Sequence, residues 1–263
     1  MITAWPDWGI VRISGPDRID FLHRLTSNHM KTPAGSTVHT FLLSVQGKPL
    51  VEMWAHNLGD EHLIEVPAGL EQTALAELDK FHFGEKLKME VLSDWRVLCS
   101  LEGPQGEHSF PTQRLATEAH AVLLPSARAE TLEKGEADLE LLRIEQGTPR
   151  YGQDYDQETL FLEMADPDSY SESKGCYPGQ EVVARILHRG RVNRRLVGLS
   201  AAKPLSGKLM ADDKEVGWVT SAIESPRFGH IGLGYVRREH NDPGSQLRLE
   251  DGTAVSVRKL PFG

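Results

Sequence analysis

Lys174-Gly175-Cys176-Tyr177-Pro178-Gly179-Gln180-Glu181 is the stretch on which the reading of this chain turns. It holds one of only two cysteines, bounded by two glycines, with a lysine two positions ahead. Just after it, Val182, Val183, Ala184, Ile186 and Leu187 recur at three- and four-residue spacing, and Gly190 supplies a stop, so the pattern predicts a glycine-bounded loop leading into a helix. A helix N-terminus presents free N–H groups and a partial positive charge. With the full charge of Lys174, that favours the thiolate of Cys176 over the thiol. The glycines let the backbone approach a ligand closely. The alternative is a buried structural cysteine in a tight turn, the commoner use of the residue type. The polar neighbours Lys174, Tyr177, Gln180 and Glu181 do not read as core.

Working outward, the 263 residues are enough for two or three compact units. Thirty-eight acids against 29 bases give a net charge of −9, which argues against a general nucleic-acid coat or an anionic-membrane binder while allowing a local basic patch. Two cysteines make neither a disulfide framework nor a zinc site, so no metal centre is expected and a reducing compartment suits them. The opening residues have no basic-then-apolar signal pattern, and no apolar run approaches a membrane span. A cytoplasmic protein is the expectation.

Ahead of the motif, Ile10 to Ile13 alternates as a strand, and Gly15-Pro16-Asp17 opens a helix with Ile19, Leu22 and Leu25 on its buried face. Thr37–Val45 and Leu50–Ala55 form a hairpin broken by Gln46-Gly47-Lys48-Pro49. His62–Val66 is a strand, Leu70 to Phe81 an apolar-striped helix, and Lys86–Leu92 and Trp95–Leu101 further strands, with Cys99 in the core. Residues 102–120 read as loop with a short helix, and Ala121–Leu124 as a buried strand. Ser126 caps the next helix. Ala137–Gln146 is a helix stopped by Gly147-Thr148-Pro149. Residues 150–173 read as a solvated acidic loop; the spacing of a calcium loop is absent.

After the motif come Arg185, His188, Arg189, Arg191, Arg194 and Arg195. They are either a solvated helix end or an anion site. From Leu196 onward six short strands, with turns at Asp212-Asp213 and Asp251-Gly252, predict a small barrel or sandwich and a boundary near 190–195. The mixture is α+β, and neither a dinucleotide fingerprint nor a P-loop occurs.

The string from Lys174 to Glu181, continued by Val182 to Arg185, Arg189-Gly190 and Asn193-Arg194-Arg195-Leu196, resembles the signature of the YgfZ family, folate-binding relatives of the glycine-cleavage T-protein whose mitochondrial members are iron–sulfur assembly factors. Gly9–Asn28, Leu142-Arg143-Ile144-Glu145-Gln146-Gly147, Gly217-Trp218-Val219-Thr220-Ser221, Gly234-Tyr235-Val236 and Leu260-Pro261-Phe262 extend the likeness over nearly the whole chain. The resemblance implies an α+β fold with a T-protein-like arrangement of two α+β units and a small C-terminal β-barrel around a central folate site. Residues 1–190 would be the folate-binding region, its second subdomain inserted at about 37–101, and 191–263 the barrel. It implies tetrahydrofolate or a one-carbon derivative as cofactor, iron–sulfur proteins as transient partners, and support of iron–sulfur enzymes, including tRNA-modifying ones, with tRNA itself a further candidate partner.

On this resemblance Cys176 is the functional thiol, assisted by Lys174. Asn28, Glu145, Glu163, Tyr177, Gln180 and Arg189 are the folate contacts. Glu145 sits at the motif position where a carboxylate accepts the adjacent N–H donors of a pterin, the alternative being a helix-surface charge. An arginine would meet the anionic tail. Where the T-protein carries a catalytic aspartate, this chain reads Gly47-Lys48-Pro49-Leu50-Val51-Glu52, and family members often have Asn-Asp where it has Asn28-His29. Tetrahydrofolate-dependent aminomethyl transfer is therefore the second reading. A non-catalytic RNA- or protein-binding module using Arg185–Arg195 is the third.

Overall fold

The structure, a computed structural model, describes residues 1–135 and 137–263. In chain order the elements are β1 (Ile2–Ala4), β2 (Trp8–Ser14), α1 (Arg18–Leu25), β3 (Thr37–Leu43), β4 (Pro49–Asn57), β5 (Glu61–Pro67), α2 (Glu71–Asp79), β6 (Lys88–Val91), β7 (Trp95–Ser100), β8 (Ser109–Thr112), β9 (Ala119–Pro125) and α3 (Ser126–Leu132). There follow α4 (Leu139–Gln146), α5 (Phe161–Met164), α6 (Gln180–Arg189) and strands β10 (Arg194–Ala201), β11 (Lys208–Ala211), β12 (Lys214–Ser225), β13 (Gly229–Arg237), β14 (Gln246–Leu249) and β15 (Ala254–Arg258).

Two compact units result. The first comprises Met1–Thr112, Glu118–Ala137 and Ala165–His188. Its five-stranded sheet, in the order β3-β4-β5-β2-β6, is antiparallel throughout. One face is apolar because Val11, Ile13, Val38, Val51, Met53, Ala55, Ile64 and Val66 fall at alternate positions, and α1 and α2 bury Phe21, Leu22, Leu25, Ala74 and Leu78 against it. The opposite face is buried yet polar: His56 bonds Glu65 at 2.9 Å and stacks on Phe110, and His39 bonds Glu52 at 2.8 Å. The second sheet, β1-β7-β9-β8, carries Cys99 fully buried, as expected.

The second unit comprises Gln113–Thr117, Asp138–Met164 and Arg189–Gly263. Its six strands close into a barrel in the order β10-β13-β12-β11-β14-β15. Val197, Leu199, Leu209, Val216, Val236, Leu247, Leu249, Val255 and Val257 fill it. The tight turn joining β11 to β12 places Asp212 and Asp213 at φ 46° and 62°, conformations Asp tolerates better than most residues. α4 is capped by the Asp138 side chain, which accepts from Leu141 N at 2.9 Å, and ends at Gly147 in the left-handed region.

Three local expectations need correction. Residues 102–120 contain a strand, β8, in place of a short helix; it is an edge strand, the position at which Pro111 costs no ladder bond. α3 starts at Ser126 itself and Pro125 holds the cap position, so the serine makes no cap bond. The stretch 150–173 holds the wholly buried α5 and a short 3₁₀ turn at Pro167–Ser169, and Asp154 within it is only 2 % exposed. Its helix is one turn long, too short for periodicity to register.

Candidate functional site

The cysteine motif belongs to the first unit. Cys176 is exposed, so the buried structural alternative does not hold. The loop that carries it is fastened along its length. The Lys174 ammonium donates to the carbonyls of His23 and Thr26 at the end of α1 and lies 4.9 Å from the Tyr177 ring centroid. Those carbonyls are among the unpaired acceptors of a helix C-terminus, where a cation is favoured. Burial pulls the pKa of Lys174 down to about 8, while its carbonyl partners favour the charged form. Ser27 donates to Ser169 O at 2.7 Å, Ser171 N to Ser27 O at 2.9 Å, and the Asn28 amide to His39 O and Asp168 O at 2.9 and 2.7 Å. Downstream, Gly179 has φ +82°, and a Cβ there would lie 2.4 Å from Ser44 O in the β3–β4 turn. Only glycine fits both requirements. Gly47, in that same turn, would meet Val182 of α6 at 2.9 Å.

This geometry reassigns two of the features read around the thiol. Lys174 is spent on α1 carbonyls. α6 begins at Gln180, four residues beyond Cys176, past the first-turn reach of the helix dipole. Tyr177 is buried, its phenol pushed up to about 12 chiefly by desolvation, so it stays neutral. Tyr177 and Gln180 line a cleft of about 20 Å³ together with Tyr170, Val183, Leu187 and His188, room for one water.

In the second unit Glu145 is 2 % exposed, which removes the helix-surface alternative. Both carboxylate oxygens are engaged: Ser225 Oγ donates to Oε1 at 2.6 Å and Arg227 Nη1 to Oε2 at 3.3 Å. Glu163, on α5, is 6 % exposed and accepts from Arg194 Nε through Oε2 at 2.8 Å. Its Oε1 has no partner among the described residues. The Arg194 guanidinium also lies 4.8 Å from the Trp218 ring and 5.4 Å from that of Tyr235. Arg189 is exposed and has no ion-pair partner among the described residues.

Asp154 is the hub of this unit, and the sequence did not announce it. Its Oδ2 accepts from Arg143 Nη1 at 2.7 Å and Arg150 N at 2.9 Å; its Oδ1 accepts from Thr220 Oγ1 at 2.5 Å and Ser221 Oγ at 2.6 Å. Successive strand residues normally point to opposite faces, but the register of β12 slips between Val219 and Ser221, and that bulge turns both hydroxyls onto one carboxylate. A sequence signal existed only in hindsight: Arg143, one position before Ile144-Glu145, has no reason to sit on a buried helix face without a buried acid.

Glu52, the acid that ends the stretch Gly47-Lys48-Pro49-Leu50-Val51-Glu52, is 4 % exposed and accepts at Oε1 from His39 Nε2 at 2.8 Å and Trp54 Nε1 at 3.2 Å; the imidazole and indole stack at 4.0 Å. The structure thus gathers Asn28, Lys174 and Tyr177 around one loop, and gives Glu145 and Glu163 separate partners.

A closed six-stranded barrel carried with layered α+β sheets is the architecture of the glycine-cleavage T-protein. The aminomethyltransferase T of the glycine cleavage system from Bartonella henselae superimposes with TM-score 0.86 at 20% identity, over 100% of this chain and 86% of that one. The glycine cleavage T-protein C-terminal barrel domain matches residues 194–262. By sequence, the tRNA-modifying protein YgfZ of Serratia proteamaculans is 29% identical over 99% of this chain and 92% of its own. An aminomethyltransferase of Saccharopolyspora erythraea is 27% identical (97% and 84%), and the mitochondrial iron–sulfur cluster assembly factor IBA57 of Mus musculus 24% (94% and 80%). Over nearly its whole length the chain is thus similar to YgfZ and T-protein-like proteins. No helix among the described residues is long and apolar enough to cross a membrane.

Proposed function

We propose that this is a cytoplasmic folate-binding protein that supports assembly or repair of iron–sulfur enzymes, tRNA-modifying ones included, through the thiol of Cys176. The observation that carries the reading is an exposed cysteine on a loop fastened at both ends. A cluster takes about four thiolates, so a single sulfur works either as one ligand of a cluster shared with the partner or by thiol exchange. Tetrahydrofolate or a one-carbon derivative is the cofactor. Glu163 is the acid we assign to the pterin, because Oε1 is open while both oxygens of Glu145 are occupied. Arg194 holds Glu163 oriented, and the bare Arg189 is available to the anionic tail. Asn28 and Lys174 support the thiol loop; they are positioning residues.

The test has two arms. In cells, Cys176→Ser is expected to lower the activity of an iron–sulfur enzyme under oxidative stress; full activity would remove the thiol from the mechanism. In vitro, tetrahydrofolate titrated calorimetrically is expected to lose about tenfold in affinity in Glu163→Gln, the worth of one charge-assisted bond. Unchanged affinity would refute the assignment.

The second reading is tetrahydrofolate-dependent aminomethyl transfer, favoured by the aminomethyltransferase relative. Glu52 is the nearest acid in sequence to the T-protein aspartate, but its bonds to His39 and Trp54 hold it as a buried acceptor. Methylene transfer from an aminomethyl donor to tetrahydrofolate that disappears in Glu52→Gln would establish this reading over the first.

A further inference from the structure

Within the arginine cluster after α6, Arg191 and Arg195 are used by neither the thiol nor the pterin. Residues 189–195 contain four arginines and no acid. Arg191 and Arg195 are exposed, as is Arg237, the direct cross-strand partner of Arg194. None of these three has an acidic partner among the described residues, in a chain whose net charge is −9.

Beside them the barrel presents an aromatic shelf. On the outward face of the adjacent strands β10, β13 and β12, Trp218 lies opposite Tyr235, ring centroids 5.2 Å apart, with the Arg194 guanidinium over both. Trp218 is half-buried and walls two cavities. One, of 440 Å³, is lined by Asn193, Arg194, Trp218 and Arg237; the other, of 270 Å³, by Asp154, Thr159, Thr220 and Trp218. The Tyr235 hydroxyl, in a side chain 2 % exposed, lines both and has no well-formed hydrogen bond. The acids around the larger cavity are neutralised: Glu215 by Lys208 at 2.8 Å, Glu239 by Arg238 at 3.4 Å. Arg237 is the charge left over there.

The unpaired Arg237 guanidinium beside an aromatic ring and a buried hydroxyl suits a polyanion that carries flat bases. We propose that the β10–β13–β12 face is a contact surface for single-stranded RNA, with a base stacked at Trp218 and backbone phosphates on Arg237 and on Arg191, just ahead of β10; Arg195, paired with Val236, lies on the opposite side of β10. A membrane surface offers anions but nothing to stack, and duplex RNA keeps its bases stacked on each other.

The experiment is fluorescence anisotropy of a labelled oligoadenylate with the full chain at low salt. Oligoadenylate is expected to bind, with log affinity against log salt falling at a slope of roughly −1.4 for two phosphates. Trp218→Leu is expected to weaken binding about tenfold at unchanged salt slope, through lost stacking. Arg237→Gln is expected to make the slope shallower by about 0.7. Because Arg237 is exposed, that variant keeps its fold even if Trp218→Leu does not, which circular dichroism and the thermal midpoint check. The proposal is overturned if no binding occurs at low salt, if neither substitution changes it, if anionic vesicles or duplex RNA compete as well as the single strand, or if adenosine monophosphate competes at equal molar strength. The RNA face and the pterin reading share Arg194, so Arg237→Gln, which leaves Arg194 and Glu163 in place, is the variant that keeps the two tests distinguishable; none of these outcomes bears on Cys176.

Discussion

Asp154 offers the sharpest test of how the barrel unit is held together. Four donors converge on its carboxylate: the Arg143 guanidinium, the Arg150 amide and the hydroxyls of Thr220 and Ser221. Asp154→Ala leaves all four facing a void. Arg143 retains Glu140 at 2.6 Å and Thr148 O at 2.7 Å, so its charge is not abandoned, but the hydroxyl and amide donors lose a buried acceptor. Breaking one side of such a buried pair costs about 3–5 kcal/mol. Asp154→Asn is milder. Its amide oxygen can face Arg143 and Arg150 N, while its NH₂ faces two hydroxyls that can rotate to accept. What is lost is the charge assistance, about 2 kcal/mol. Urea unfolding at neutral pH, with equal m-values required of all three proteins, measures both. If Asp154→Ala falls within about 1 kcal/mol of wild type, the value of an exposed ion pair, the hub does not carry the unit.

Three further outcomes follow from the same geometry. His62, whose Nδ1 accepts from Arg18 Nε at 3.2 Å, has its pKa lowered from 6.5 to about 4 by burial first and the Arg18 charge second. The unfolded chain therefore takes up that proton first as pH falls, and stability drops by about 3 kcal/mol between pH 6.5 and 4, with no contribution above; urea midpoints across this window should flatten in His62→Asn, and an unchanged slope would refute the assignment. A thiol reagent should label Cys176 in the native protein and reach Cys99 only in denaturant, since Cys99 is fully buried; two native labels would contradict the core position. Lys174→Met should cost about 1–2 kcal/mol through the uncapped end of α1 and speed proteolysis between Ala165 and Gly179, and equal cleavage rates would show that the loop is held by other bonds.

The barrel was legible almost strand for strand, because alternation and turn residues are local and its turns carry Asp212-Asp213 and Asp251-Gly252. So were the glycine-bounded entry to α6 and the stop at Gly147, where a left-handed φ admits little else. The environments of the site side chains were not. Lys174 sits two residues from Cys176 in sequence, yet its ammonium answers to α1, about 150 residues away. Asp154 read as one of several loop acids because nothing nearby in sequence reports its partners on β12. α5 escaped for a different reason: a single buried turn has no period.

Because the segment bearing Cys176 is lashed to the end of α1 on one side and seated against the β3–β4 turn on the other, its conformational freedom has been surrendered during folding. An incoming macromolecule therefore meets the sulfur in a preset posture, and little entropy remains to be lost at encounter. Selectivity among clients must then come from their fit to a fixed contour, since this segment has little latitude to mould itself to each.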